Sequence, residues 1–166
     1  MEVNDTFSIL IIEDDADTLA NLSDILELDD HRVVGVSSMA DALRVASTDT
    51  FEIVISDRKL PDGLIEDALP RLKEVLPDAE VIVITGYADM QSTIKAFRQG
   101  VNDYVIKPII PDDLRSTVKR IFEQRRLERE LAQEHAFAEL ILDTAEAIIL
   151  VLDLDARVIK INHYFE

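Results

Sequence analysis

Residues 9–17 read ILIIEDDAD, four aliphatic side chains running directly into Glu13, Asp14 and Asp15. A run without polar alternation suits a strand covered on both faces, and such strands belong to parallel sheets flanked by helices. The three acids that end it are the unusual part. Two carboxylates about 4 Å apart repel by roughly 4 kcal/mol at an effective dielectric of 20. A cluster of them is tolerated when a proton or a metal ion neutralises it. Residues 51–57, FEIVISD, repeat the pattern, an apolar run that delivers Asp57. Whether the two acidic ends share a site depends on how the strands are arranged.

Strand-like runs occupy residues 7–12, 33–36, 51–55, 80–84 and 103–106, all rich in Ile and Val. Between them the apolar residues recur with a helical period: Leu19, Leu22 and Leu26; Ala42, Leu43 and Ala46; Leu69, Leu72 and Leu76; Met90, Ile94 and Phe97. A further helix is predicted to start near Pro111, since proline suits a first helical turn. This alternation predicts an α/β protein, a (βα)5 doubly wound parallel five-stranded sheet with a long C-terminal helix. Ligands of such sheets sit at the carboxyl ends of the strands, near the point where strand order reverses. That edge would gather Glu13, Asp14 and Asp15, Asp57, Thr85 with Gly86, and Lys107 with Pro108. Oxygen ligands from one or two carboxylates suit Mg²⁺ (or Mn²⁺) whose shell a phosphate completes. Lys107 and Thr85 supply a cation and a hydroxyl for phosphoryl oxygens. Asp57 is the natural nucleophile, because carboxylates accept phosphoryl groups as acyl phosphates.

Composition narrows the setting. The chain has 166 residues, 48% of them hydrophobic, enough for one full domain and a remainder. A net charge of −17 argues against a nucleic-acid surface, which needs a positive footprint, and points to cations or basic protein patches. The lack of cysteine fits a reducing compartment. No signal-peptide pattern and no apolar run of the roughly 20 residues that cross a bilayer occur, so a cytoplasmic location away from membrane is expected.

Four blocks in order, ILIIEDD (9–15), VISDRKLPDG (54–63), VIVITGYAD (81–89) and NDYVIKP (102–108), resemble the signatures of the response regulator receiver domain of bacterial two-component systems. The resemblance covers about residues 7–122 and implies the flavodoxin-like receiver fold. It implies that Asp57 is the phosphoacceptor and that Glu13 and Asp14 form the acidic pair. Asp14 and Asp57 would then hold Mg²⁺ directly, helped by the backbone carbonyl of Lys59. Thr85 becomes the switch hydroxyl, Tyr104 the switch aromatic and Lys107 the phosphate-pairing lysine, with a cis Lys107–Pro108 bond. The implied partner is a histidine kinase or phosphotransfer protein, and the domain would catalyse its own phosphoryl transfer and hydrolysis. Arg58 and Lys59 make the loop after Asp57 unusually basic, and their side chains would bear on how water reaches an acyl phosphate.

Plainer readings stand beside these. Glu13 and Asp14 would also serve as acids at the start of a helix, Tyr104 as strand packing, and Asp15 as a helix cap. His31, His135 and His163 have no metal-ligand spacing and are expected at the surface. The alternating Arg and Glu residues of 115–130 read as an ion-paired helix face. A pseudo-receiver, an interaction scaffold that is never phosphorylated, is the alternative function. An aspartyl phosphatase is disfavoured by Lys59, where that chemistry uses a second Asp.

Beyond residue 111 there is no glycine or further proline up to Ala145, about 50 Å of helix at 1.5 Å per residue. Leu127, Leu131, Glu134, Ala138, Ile141 and Ala145 alternate by four and three, a short heptad that predicts a homodimer through this helix. The stretch 146–166 then offers two strand-like runs, 148–152 and 158–161, around a turn at 153–157. With Asn162 and Phe165 it resembles the first hairpin of a PAS domain, implying that the natural protein continues. The expected organisation is a receiver domain over 1–122, a linker or signalling helix over 123–145 and a truncated PAS-like segment over 146–166.

Overall fold

The computed structural model describes residues 6–86, 100–144, 150–153, 155 and 157–161. The helix expected around Met90, Ile94 and Phe97 lies outside the described residues, as do Ala145, Asn162, His163 and Phe165. The chain forms two compact units, Met1–Ile121 and Phe122–Glu166.

The first unit is built on strands β1 (Ser8–Ile12), β2 (Arg32–Val36), β3 (Ile53–Asp57), β6 (Glu80–Gly86) and β7 (Asp103–Lys107). They form one sheet in the order β2-β1-β3-β6-β7, every pairing parallel. Helices α1 (Ala16–Glu27), α2 (Met39–Ala46) and α3 (Ile65–Val75) connect them, and α4 (Pro111–Thr144) follows β7. Strand residues alternate between faces. Leu10, Ile12, Val54, Val81 and Val83 cluster with Met39, Ala42, Leu69 and Leu72 of α2 and α3. Ile9, Ile11, Ile53, Ile55, Ile82 and Ile84, on the opposite face, are equally buried, as are Leu22 and Leu26 of α1 and Leu114, Val118 and Ile121 of α4. Double coverage is why the central strands lack polar alternation.

Three local features depart from the periodicity. β3 starts two residues later than expected and runs to Asp57, so the acid is the last residue of the strand rather than part of a following loop. Leu76 lies just past the end of α3, and that helix continues through Pro70, whose missing N–H forgoes the bond to the Glu66 carbonyl. A small antiparallel hairpin, β4 (Lys59–Leu60) with β5 (Gly63–Leu64), fills the interval after β3. Gly63 turns it back at φ 138°, a conformation glycine adopts without strain.

In the second unit, β8 (Leu150–Leu152) pairs antiparallel with β9 (Val158–Ile161), the hairpin expected from the sequence. Its turn is held by Asp153, whose carboxylate accepts the N–H groups of Asp155 and Arg157, each at 2.9 Å. Helix α4 is 34 residues long, about 50 Å. Leu127 and Leu131 are 59% and 58% exposed, and Phe137 and Leu140 extend the exposed apolar surface beyond the heptad positions. No described helix is long and apolar enough to cross a membrane.

Candidate functional site

Strand order reverses at β1, which lies between β2 and β3, so the carboxyl ends of β1 and β3 open the same crevice. The Glu13 N–H donates to the Val36 carbonyl (3.0 Å) and the Arg58 N–H to the Ile84 carbonyl (2.9 Å), which carries the sheet's bonding one residue past each strand. The two acidic strand ends therefore meet. Glu13, Asp14 and Asp57 each present an oxygen, and these atoms lie within 4.8 Å of one another. Asp15 stands apart: it caps α1, its carboxylate accepting the Thr18 N–H at 2.8 Å. Its bonds to Thr18 hold its pKa below the ordinary carboxylate value.

Lys107 enters from the end of β7. Its Nζ donates to Asp57 Oδ2 at 2.5 Å and to Glu13 Oε2 at 3.4 Å. Burial works against the lysine charge, but the bond and charge of Asp57, then those of Glu13, outweigh it and raise the pKa. The peptide bond from Lys107 to Pro108 is cis. Glu13 is 1% exposed, and its other oxygen accepts the Asp15 N–H at 3.2 Å. Burial is the main reason its pKa is raised, with the Asp57 charge adding to it. Asp57 Oδ1 accepts the Lys59 N–H at 3.3 Å. Among the described residues, the Lys107 ammonium faces a cluster of three carboxylates, so the site carries more negative than positive charge. Its all-oxygen donor set fits a small hard dication such as Mg²⁺.

Thr85 is the penultimate residue of β6 and follows Ile84, the register partner of Asp57. Its side chain is buried, and its hydroxyl has no hydrogen-bond partner among the described residues. A buried hydroxyl without a partner costs about 1–3 kcal/mol, so the position is explained by something other than stability. Tyr104 is half-buried against the core cluster. Burial and the Glu66 charge push its phenol up to about 12, against the Arg58 charge.

Two sequence expectations need correction. The Arg58 side chain, read as part of an exposed basic loop, is buried and ion-paired. It is 9% exposed, and its Nε donates to Glu66 Oε1 at 2.5 Å, because α3 places a carboxylate behind the strand end. His31 is not a plain surface residue. Its Nδ1 accepts the Phe7 N–H at 3.2 Å, its ring lies 6.0 Å from that of Phe7, and burial lowers its pKa. The sequence reading also missed Asp62, whose carboxylate accepts the N–H groups of Met39 (3.1 Å) and Ala40 (2.9 Å) at the start of α2. A cap given to another helix leaves no mark in local sequence.

A doubly wound parallel sheet with an acidic crevice and a lysine at its carboxyl edge is the arrangement expected of a receiver-like α/β domain. The chain belongs to the response regulator receiver domain family, whose model matches residues 9–119. It is 34% identical over 123 residues to the C4-dicarboxylate transport transcriptional regulatory protein DctD of Rhizobium meliloti, covering 72% of this chain and 26% of that protein. Response regulator protein FleR of Pseudomonas aeruginosa is 33% identical over 132 residues, 80% of this chain and 25% of its own. The chain thus spans about a quarter of the length of these relatives. Among solved structures, a receiver domain protein from Clostridium thermocellum superposes with a TM-score of 0.66 at 30% identity, covering 72% of this chain and 97% of that one. Family membership makes the domain a phosphorylation-based signalling switch. Receiver domains bind Mg²⁺ at an acidic pocket and interact with histidine kinases or phosphotransfer proteins.

Proposed function

We propose that this chain accepts a phosphoryl group on Asp57 from a histidine kinase or phosphotransfer protein in a Mg²⁺-dependent reaction. The observation that carries the reading is the meeting of Glu13, Asp14 and Asp57 with Lys107 Nζ placed 2.5 Å from Asp57 Oδ2. Asp57 attacks phosphorus, the bond to the donor histidine nitrogen breaks, and the imidazole leaves with the electron pair and takes up a proton. Hydrolysis by water returns the carboxylate and inorganic phosphate. Asp14, Asp57 and the Lys59 carbonyl are the direct metal ligands in this reading, with Glu13 beside them. Mg²⁺, when bound, would offset the charge on the phosphoryl oxygens. Lys107 pairs with a phosphoryl oxygen, and the orphan hydroxyl of Thr85 donates to another. Thr85 and Tyr104 then bias a two-state surface.

The signal passes along α4, where Leu127, Leu131, Ala138 and Ile141 pair two copies of the chain, to a PAS-like segment at 146–166. The exposure of Leu127 and Leu131 supports the pairing, and the β8–β9 hairpin supports the PAS reading. The partners are proteins of the cytoplasm rather than nucleic acid or membrane. A pseudo-receiver is the competing reading, and the complete set of Glu13, Asp14, Asp57, Thr85 and Lys107 weighs against it. Incubation with acetyl phosphate and Mg²⁺, followed by intact-mass analysis, tests the proposal. Wild type should gain one phosphoryl group, and Asp57→Asn or added EDTA should abolish the gain, since an amide is a poor nucleophile. Full labelling of Asp57→Asn would refute the assignment.

A further inference from the structure

The Lys59 carbonyl proposed as a metal ligand is a main-chain group, so it can be placed only by the chain around it. That chain is fastened at both ends. At the base of the β4–β5 hairpin the Ile65 N–H donates to the Arg58 carbonyl (3.1 Å), and Arg58 Nε donates to Glu66 Oε1 (2.5 Å). At its tip Asp62 accepts the first two N–H groups of α2. The side chains of Arg58 and Glu66 are only 10% and 13% exposed. A buried ion pair is a poor stability device, because an apolar pair of similar volume often holds a fold as well or better. Here the cost is higher still, because Glu66 Oε2 is buried with no hydrogen-bond partner among the described residues. An apolar pair cannot supply a directional bond from the residue next to Asp57 to the first turn of α3.

We propose that the Arg58–Glu66 pair is a positioning device for the phosphorylation site, deepening the reading above. It pins Arg58 and Lys59 so that the Lys59 main chain faces Asp57, which sets the affinity for the divalent metal and the rate of phosphoryl transfer. Its contribution to fold stability is small. Removing groups that orient metal ligands typically costs 10–100-fold in affinity.

The test compares the 166-residue wild type with Glu66→Gln, Arg58→Lys and the paired replacement Arg58→Met with Glu66→Leu. Mg²⁺ binding is read from calorimetric titration and from the Lys59 amide resonance, phosphorylation from acetyl phosphate labelling, and stability from melting in EDTA. The paired replacement should melt at or above the wild-type temperature yet bind Mg²⁺ about tenfold more weakly and label more slowly. Arg58→Lys should also lose affinity, since an ammonium does not reproduce the planar guanidinium bond. Glu66→Gln keeps the volume and an acceptor and should show the smallest loss. Wild-type Mg²⁺ affinity in the paired replacement, or affinity lost only in step with melting temperature, would overturn the proposal. A wild type that takes up no phosphoryl group would instead overturn the phosphoacceptor reading on which it rests.

Discussion

At the scale of single residues, the site shows its purpose through costs the fold does not need. Thr85 carries a buried hydroxyl with no partner among the described residues. Thr85→Val keeps the branched shape and removes the unsatisfied group, so it should stabilise the unphosphorylated protein by about 1 kcal/mol. Denaturant unfolding measures this, and a variant less stable than wild type would show that the hydroxyl has a partner at rest. His31 gives a second prediction. Burial lowers its pKa from the ordinary 6.5, although Asp29 and Asp30 oppose the shift. As pH falls the unfolded chain binds the proton first, so the stabilising bond from the Phe7 N–H is fully present above about 6.5 and lost as pH drops through the folded pKa. An NMR titration should give His31 a midpoint below 6.5, and a midpoint at or above that value would contradict the burial argument.

At the scale of elements, the strands and the acidic strand ends were legible because their signal is local: unbroken Ile and Val runs, each delivering an acid. What escaped was set by tertiary placement or by pieces too short to show a period. The β4–β5 hairpin has two-residue strands. Arg58 read as a loop cation because nothing in the order of residues says that α3 brings Glu66 against it. His31 found the Phe7 N–H only through the start of the β1–β2 pairing, 24 residues away in sequence. In α4 the heptad was legible, but Phe137 and Leu140 fell outside it, though they are 64% and 59% exposed. For that helix we expect pairing of two chains. Light scattering should find 1–166 dimeric and a chain stopped at Glu123 largely monomeric, with Leu131→Asp dissociating the longer form. Equal mass states for both lengths would remove α4 as the pairing element.

At the scale of the whole molecule, a net charge of −17 sits on a chain whose acidic crevice is faced by Lys107. Ion pairs such as Arg115 with Asp29 (2.9 Å), Arg32 with Asp49 (3.0 Å) and Arg120 with Asp103 use basic side chains elsewhere. Exposed pairs of this kind add little stability, typically below about 1 kcal/mol each. They do engage these basic side chains away from the crevice. The central claim is that Asp57 alone takes the phosphoryl group. The most direct measurement labels the 166-residue chain with acetyl phosphate and Mg²⁺, reduces it with borohydride, and sequences all its tryptic peptides by mass spectrometry, 45–58 for Asp57 and 1–32 for Asp14. Reduction converts an acyl phosphate of aspartate to homoserine, and the account predicts homoserine at position 57 and at no other acid of the chain. Homoserine at position 14 in place of 57, or an unreduced Asp57 in a chain that has gained a phosphoryl group, would contradict it.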